Sequence, residues 1–213
     1  MKIHFAESSY KIDPSFKKKY VDKIETSYNQ VNRLLPFGSK HINFFVQPRE
    51  YDLIPETQDA GYTVNSELVM LAFNPSTPTK VLENITGTVF HEMNHAARYN
   101  IPIFHHNFLD SCVMEGLATV FAREYAGDDA LWSHHIENVQ NWIKEIIEQG
   151  ANININDYMY SHPDGRRWIG YKVGTYIVDE AIKNSGKSVV DLTQMECVVI
   201  LKLAKINTEN YRV

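Results

Sequence analysis

Residues 78–99 read PTKVLENITGTVFHEMNHAARY, and the rest of the chain is organised around this stretch. Ser76 or Thr77 can act as N-cap, Pro78 suits the first helical turn, and Pro102 closes the segment. Leu82, Ile85, Val89, Met93 and Ala96 fall within ~80° on a helical wheel and make one apolar stripe. Asn84, Thr88, His91 and His95 fall on the opposite side. The pattern predicts a helix that buries one face and presents its histidines to a cleft.

Residues 91–95 are His-Glu-Met-Asn-His, an HExxH motif. Side chains at i and i+4 project about 40° apart and about 6 Å along the axis, so both imidazoles can reach one ion at ~2.1 Å. Glu92 lies about 100° round from His91, too far to share the ion and well placed to reach a water beside it. Two incidental surface histidines would need neither that carboxylate nor a polar stripe opposite the apolar one.

Catalytic zinc takes three protein ligands, so a third is expected. A third histidine in HExxHxxGxxH is absent: position 98 is Arg, and the His105–His106 pair has the wrong spacing. Asp110 and Glu115 both remain as carboxylate candidates from the next helix. Glu115 has the better setting, inside the apolar run Met114-Glu115-Gly116-Leu117-Ala118, where an unpaired charge costs several kcal/mol. The bland alternative is an exposed glutamate on an amphipathic helix. Cys112 reads as packing rather than as a soft ligand. The small residues on this helix, Cys112, Gly116, Thr119 and Ala122, suit close approach to the HExxH helix.

Around these two helices the pattern is mixed. A first helix is expected over 14–35, with Phe16, Tyr20, Ile24, Tyr28 and Val31 at helical spacing. Short β-rich runs follow at 42–46, 61–64 and 68–73, with Asn65-Ser66 as a hairpin turn. Helices are then expected over 78–99, 111–125, 128–149 and 168–184, with a loop at 151–167. Ser188-Val189-Val190-Asp191 reads as a capping box for a last helical stretch. Strands come first and helices later, which predicts an α+β fold. Gly170 and Gly174 should share a helix face and admit another backbone.

The 213 residues fit a single domain, and 44% hydrophobic with 22% charged residues is ordinary for a globular chain rather than a disordered one. Net charge is −5 and the densest basic run is Lys17-Lys18-Lys19, a solvated helix face, so no nucleic-acid footprint is expected. No apolar run approaches ~18 residues and the first residues lack a signal-peptide core, so no membrane span and a cytoplasmic location are expected. Cys112 and Cys197 form no CxxC pair and read as free buried thiols. His134–His135 and His105–His106 read as exposed.

With His91-Glu92-x-x-His95 and Glu115-Gly116-Leu117-Ala118 the chain resembles the gluzincin metallopeptidases, and most closely a family of small bacterial zinc-dependent proteases (YjaZ-like). The segments 91–99 and Trp168-Ile169-Gly170-Tyr171-Lys172-Val173-Gly174, continuing to Gly186-Lys187-Ser188, carry the closer likeness. It is strong over the second half of the chain and weak over the first. The resemblance implies a zincin-like fold: a small N-terminal β-sheet with helices, then a mainly helical second half. It implies a hydrolase with Zn2+ held by His91, His95 and Glu115, Glu92 as general base, and a peptide or protein as substrate. Thermolysin-like members carry an Asp four residues after the ligand Glu; here that place is Thr119, so Asp110 or Asn84 would have to support a ligand histidine instead. Tyr171 is the expected oxyanion donor, with His162 and Arg166 behind it and aromatic packing as the alternative role for Tyr171. By the same analogy the strand at 68–73 would offer its edge to an extended substrate.

Overall fold

In the computed structural model, which describes residues 1–7, 10–101 and 107–208, the first strand is one that the sequence pattern hides. It is β1 (Lys2–Phe5), four residues long and never fully buried. After it come α1 (Pro14–Leu34), β2 (Asn43–Pro48), β3 (Asp59–Asn65), β4 (Leu68–Phe73) and α2 (Pro78–Arg98). Then follow α3 (Phe108–Ala126), α4 (Val139–Gln149), α5 (Ile155–Met159), α6 (Ile169–Ser185), α7 (Val189–Thr193) and α8 (Cys197–Leu203). The order is α+β, as expected. Pro102 and the His105–His106 pair lie outside the described residues. No helix among the described residues is long and apolar enough to cross a membrane.

The chain divides into two compact units: Met1–Asn100 with Glu124–Asp128, and the remainder. The first holds a four-stranded sheet in the order β1-β2-β4-β3. β1, β2 and β4 run parallel, and β3 pairs antiparallel with β4. Phe44 and Val46 of β2 and Val69, Leu71 and Phe73 of β4 are buried, while Phe45 and Tyr62 are exposed, so one face of the sheet is covered. The rings of Phe16 and Tyr20 on α1 pack within 5.1–5.2 Å of Phe73. Asp13 caps α1, its carboxylate accepting from the Phe16 amide, ahead of Pro14.

One expectation is corrected here. β4 lies between β2 and β3 and has no free edge; the edge beside it is β3. β3 is also the strand packed along α2: its inward side chains Asp59, Gly61 and Thr63 alternate with Ala60, Tyr62 and Val64 on the other face.

In the second unit α3 and α6 meet backbone to backbone. A Cβ built on Gly174 would stand 1.9 Å from the Cys112 carbonyl oxygen, and one on Gly116 would stand 2.3 Å from the Gly174 carbonyl. Gly170 packs against the side chains of Met159 and Phe108. The expected glycine face therefore exists, and the small residues Cys112 and Gly116 serve contact with α6. The expected helix over 128–149 is shorter: only Val139–Gln149 is helical, after a left-handed Gly127 and a stretch of turns. The expected loop at 151–167 contains α5 and a bridge between Ser161 and Arg167. Ser188 and Asp191 form the expected capping box of α7.

Candidate metal centre

The centre is built on α2. Thr77 is the N-cap residue but makes no side-chain cap bond; its hydroxyl donates to the Asn74 carbonyl at 3.4 Å. Ile85, Val89, Met93 and Ala96 are buried as the apolar stripe requires, and Leu82 is half-buried. The C-terminal half of the helix is more enclosed than an amphipathic pattern suggests. Phe90, Glu92, Asn94 and Arg98 are buried too, and His91 and His95 are half-buried.

The two histidine Nε2 atoms stand 3.0 Å apart, with their rings near perpendicular. Two tetrahedral ligands ~2.1 Å from zinc stand about 3.4 Å apart, so the one-turn spacing brings the imidazoles close enough to share one ion after a slight separation. Glu115 of α3 completes a group of three: one ligand atom each from His91, His95 and Glu115 lie within 4.8 Å of one another. Two imidazoles and a carboxylate are a nitrogen–oxygen donor set that suits zinc and fits a three-ligand centre with a place left open. This is the one such group among the described residues, and all three are partly exposed. Asp110, the rival third ligand, is not a member. Cys112 is fully buried, and burial, aided by the nearby Glu115 charge, pushes its thiol well above the ordinary value. It is held as a thiol rather than as the thiolate that metals bind.

Glu92 is the most constrained side chain here. It is 6% exposed, yet its carboxylate has a donor. The Thr63 hydroxyl of β3 donates to Glu92 Oε2 at 2.7 Å and lies 2.8 Å from the Glu92 carbonyl oxygen. Gly61, two residues earlier on the same face of β3, leaves room for the carboxylate: a Cβ there would come within 2.5 Å of Glu92 Oε1. One helical turn back, the Thr88 hydroxyl donates to Asp59 Oδ2 at 2.7 Å. Asp59 is 1% exposed, and burial raises its carboxyl above the ordinary range. Asp128 adds to that shift and sits against Gly87 of α2, where a Cβ would meet its carboxyl carbon at 2.8 Å. Thr88, on the helix's polar stripe, thus faces a strand.

The sequence pattern missed Thr63, Gly61 and Asp59. The available signal was three small or polar residues on the inward face of a strand, where apolar residues are the norm.

Other expected residues fall as follows. Asn84 donates to the Lys80 carbonyl one turn back on its own helix. Thr119 is fully buried, and its hydroxyl has no hydrogen-bond partner among the described residues. Tyr171 is half-buried on α6, its ring packed 5.5 Å from Trp168, 6.2 Å from Trp132 and 6.5 Å from Tyr160. Arg166 makes a bidentate pair with Glu145 at 2.7 and 2.8 Å and a third bond to Asp164. The Arg166 bonds hold the Glu145 carboxyl below its usual range, and Asp164 is lowered to about 2, chiefly by the Arg166 amide. His162 pairs with Asp164 at 2.8 Å. These two candidates are engaged in a local network. His134 and His135 are exposed, as expected.

Comparison with known proteins places the chain in a family. The model of the family described as "Predicted Zn-dependent protease (DUF2268)" matches residues 17–202, most of the chain. The chain belongs to this family. A relative, the uncharacterized protein YjfC of Bacillus subtilis (strain 168), is 26% identical over 140 residues, 56% of this chain. The match covers 47% of YjfC, so the chain spans about half the length of that relative. No solved structure matches the chain.

Proposed function

We propose that this member of the family is a gluzincin-type zinc metallopeptidase, with His91, His95 and Glu115 as metal ligands and Glu92 as general base. The observation that carries the reading is the 3.0 Å approach of the two Nε2 atoms, grouped with Glu115 and next in sequence to a buried, hydrogen-bonded Glu92. Zinc bound there supplies Lewis acidity, making water a stronger acid and a carbonyl a better electrophile.

The chain's own groups do the rest. Glu92 accepts the proton that the attacking water releases and returns it to the leaving amine. Oε2 is tied to Thr63, so Oε1, in the space left by Gly61, is the oxygen that takes part. Tyr171 is the proposed donor to the developing oxyanion. The substrate is a peptide or protein. Free, buried Cys112 and Cys197 suit the reducing conditions of a cytoplasmic location.

The test is digestion of an internally quenched peptide library by zinc-loaded wild type and Glu92→Gln. Wild type should cleave and the variant should not, while both bind zinc. Equal cleavage by the two would overturn the assignment of Glu92. Turnover of amide or ester substrates without peptide cleavage would move the reaction to another hydrolase class.

A further inference from the structure

We infer that Thr63 is a positioning residue for Glu92, and that Gly61 and Thr63 together make the Glu92 carboxylate one-sided. The inference rests on the reading of Glu92 as general base. A carboxylate free to rotate presents either oxygen in many directions, whereas proton transfer needs one oxygen held at hydrogen-bond distance from the reacting atom. Here the two oxygens differ. Oε2 is held by the Thr63 hydroxyl at 2.7 Å, and the side chain packs against Gly61, where a Cβ would stand 2.5 Å from both Oε1 and Cγ. Glu92 is nearly buried, so without that hydroxyl Oε2 would lose its donor with little water to replace it.

The hydroxyl carries one proton and has two acceptors on the same residue, Oε2 and the Glu92 carbonyl oxygen at 2.8 Å. Both ends of Glu92 are therefore fixed to one point on β3. The bridge crosses 29 residues of sequence, and a second bridge from the same strand, Asp59 to Thr88, secures the helix one turn earlier. Thr63 acts on the proposed centre through its bonds to Glu92.

The test uses the full chain with three variants: Thr63→Val, which keeps shape and removes the hydroxyl, Thr63→Ser, which keeps the hydroxyl, and Gly61→Ala. Readouts are the Zn2+ dissociation constant by titration, kcat and KM on the quenched peptide library, and the Glu92 side-chain conformation in crystals of each variant. Thr63→Val should bind Zn2+ within about twofold of wild type, with kcat lower by about 10- to 100-fold and KM little changed. In crystals its Glu92 carboxylate should leave the wild-type position. Thr63→Ser should restore both, and Gly61→Ala should displace Oε1 and lower kcat even with Thr63 intact. If Thr63→Val fails to fold, the serine and Gly61→Ala variants decide the matter by the same readouts. Wild-type kcat in Thr63→Val, or an unmoved Glu92 in both Thr63→Val and Gly61→Ala, overturns the inference. If Glu92→Gln itself cleaves normally, the failure lies with the general-base reading.

Discussion

At the scale of single residues, Glu92 and Asp59 are two carboxyls held by threonines across the same strand–helix contact, yet they are suited to different tasks. Glu92 has Oε2 held by Thr63 and packs against Gly61; replacing it with Gln preserves shape and removes the base. We expect kcat to fall by about 10²- to 10⁴-fold with Zn2+ affinity retained, measured by peptide turnover and metal titration side by side. Tyr171→Phe should lower kcat by about 100-fold or more at constant KM if its hydroxyl serves the oxyanion. Unchanged kcat would return Tyr171 to packing against Trp132 and Trp168.

Asp59 makes a prediction of opposite character. Burial raises its carboxyl, so the native chain keeps a proton that the unfolded chain releases. Its contribution to stability is complete below the ordinary carboxylate range and is lost as pH rises through the raised native value. Asp59→Asn retains an acceptor for Thr88 and has nothing to ionise. The variant should gain on wild type in urea unfolding free energy as pH rises above the ordinary carboxylate range. Parallel pH profiles would show that Asp59 does not hold its proton.

At the scale of elements, helices with strong local signals were legible. The α2 pattern gave its start at Pro78 and its end within a residue, because Pro78 and the apolar spacing are properties of consecutive residues. The i, i+4 histidine pair was readable for the same reason. What sequence could not show was set by tertiary pairing. β1 is four residues long and finds its place only beside β2. The edge position of β3 is a matter of strand order, which no local pattern encodes. Thr63 meets Glu92 across 29 residues of separation. Residues 128–138 contain helix formers but follow a left-handed Gly127 and carry no continuous apolar stripe.

The α3–α6 contact gives a prediction at this scale. Gly174→Ala places a methyl 1.9 Å from the Cys112 carbonyl oxygen, and the obstruction is backbone, which cannot rotate away. The helices must part, and destabilisation of about 1–3 kcal/mol or more is expected in chemical denaturation. A neutral result would show that the helices yield freely.

For the molecule as a whole, a metal that binds only the native chain must stabilise it by mass action. Zn2+ at about 100 times its dissociation constant should add about 2.7 kcal/mol, visible as a rise in Tm that a chelator reverses. Glu115→Ala should lose most of that rise and Asp110→Ala should keep it, in scanning calorimetry with and without metal. The reverse pattern would transfer the third ligand to Asp110.

The alternation along β3 carries one more consequence. Asp59, Gly61 and Thr63 meet α2, while Ala60, Tyr62 and Val64 face the other way. A slip of one residue would exchange the sets, driving the Tyr62 ring into the space of the Glu92 carboxylate and stranding Thr88 opposite an alanine. A misthreaded β3 therefore cannot close over α2, and a one-residue deletion within residues 59–63 should yield a chain that does not fold, whereas the turn-rich segment before Asp59 can change length and leave that pairing intact.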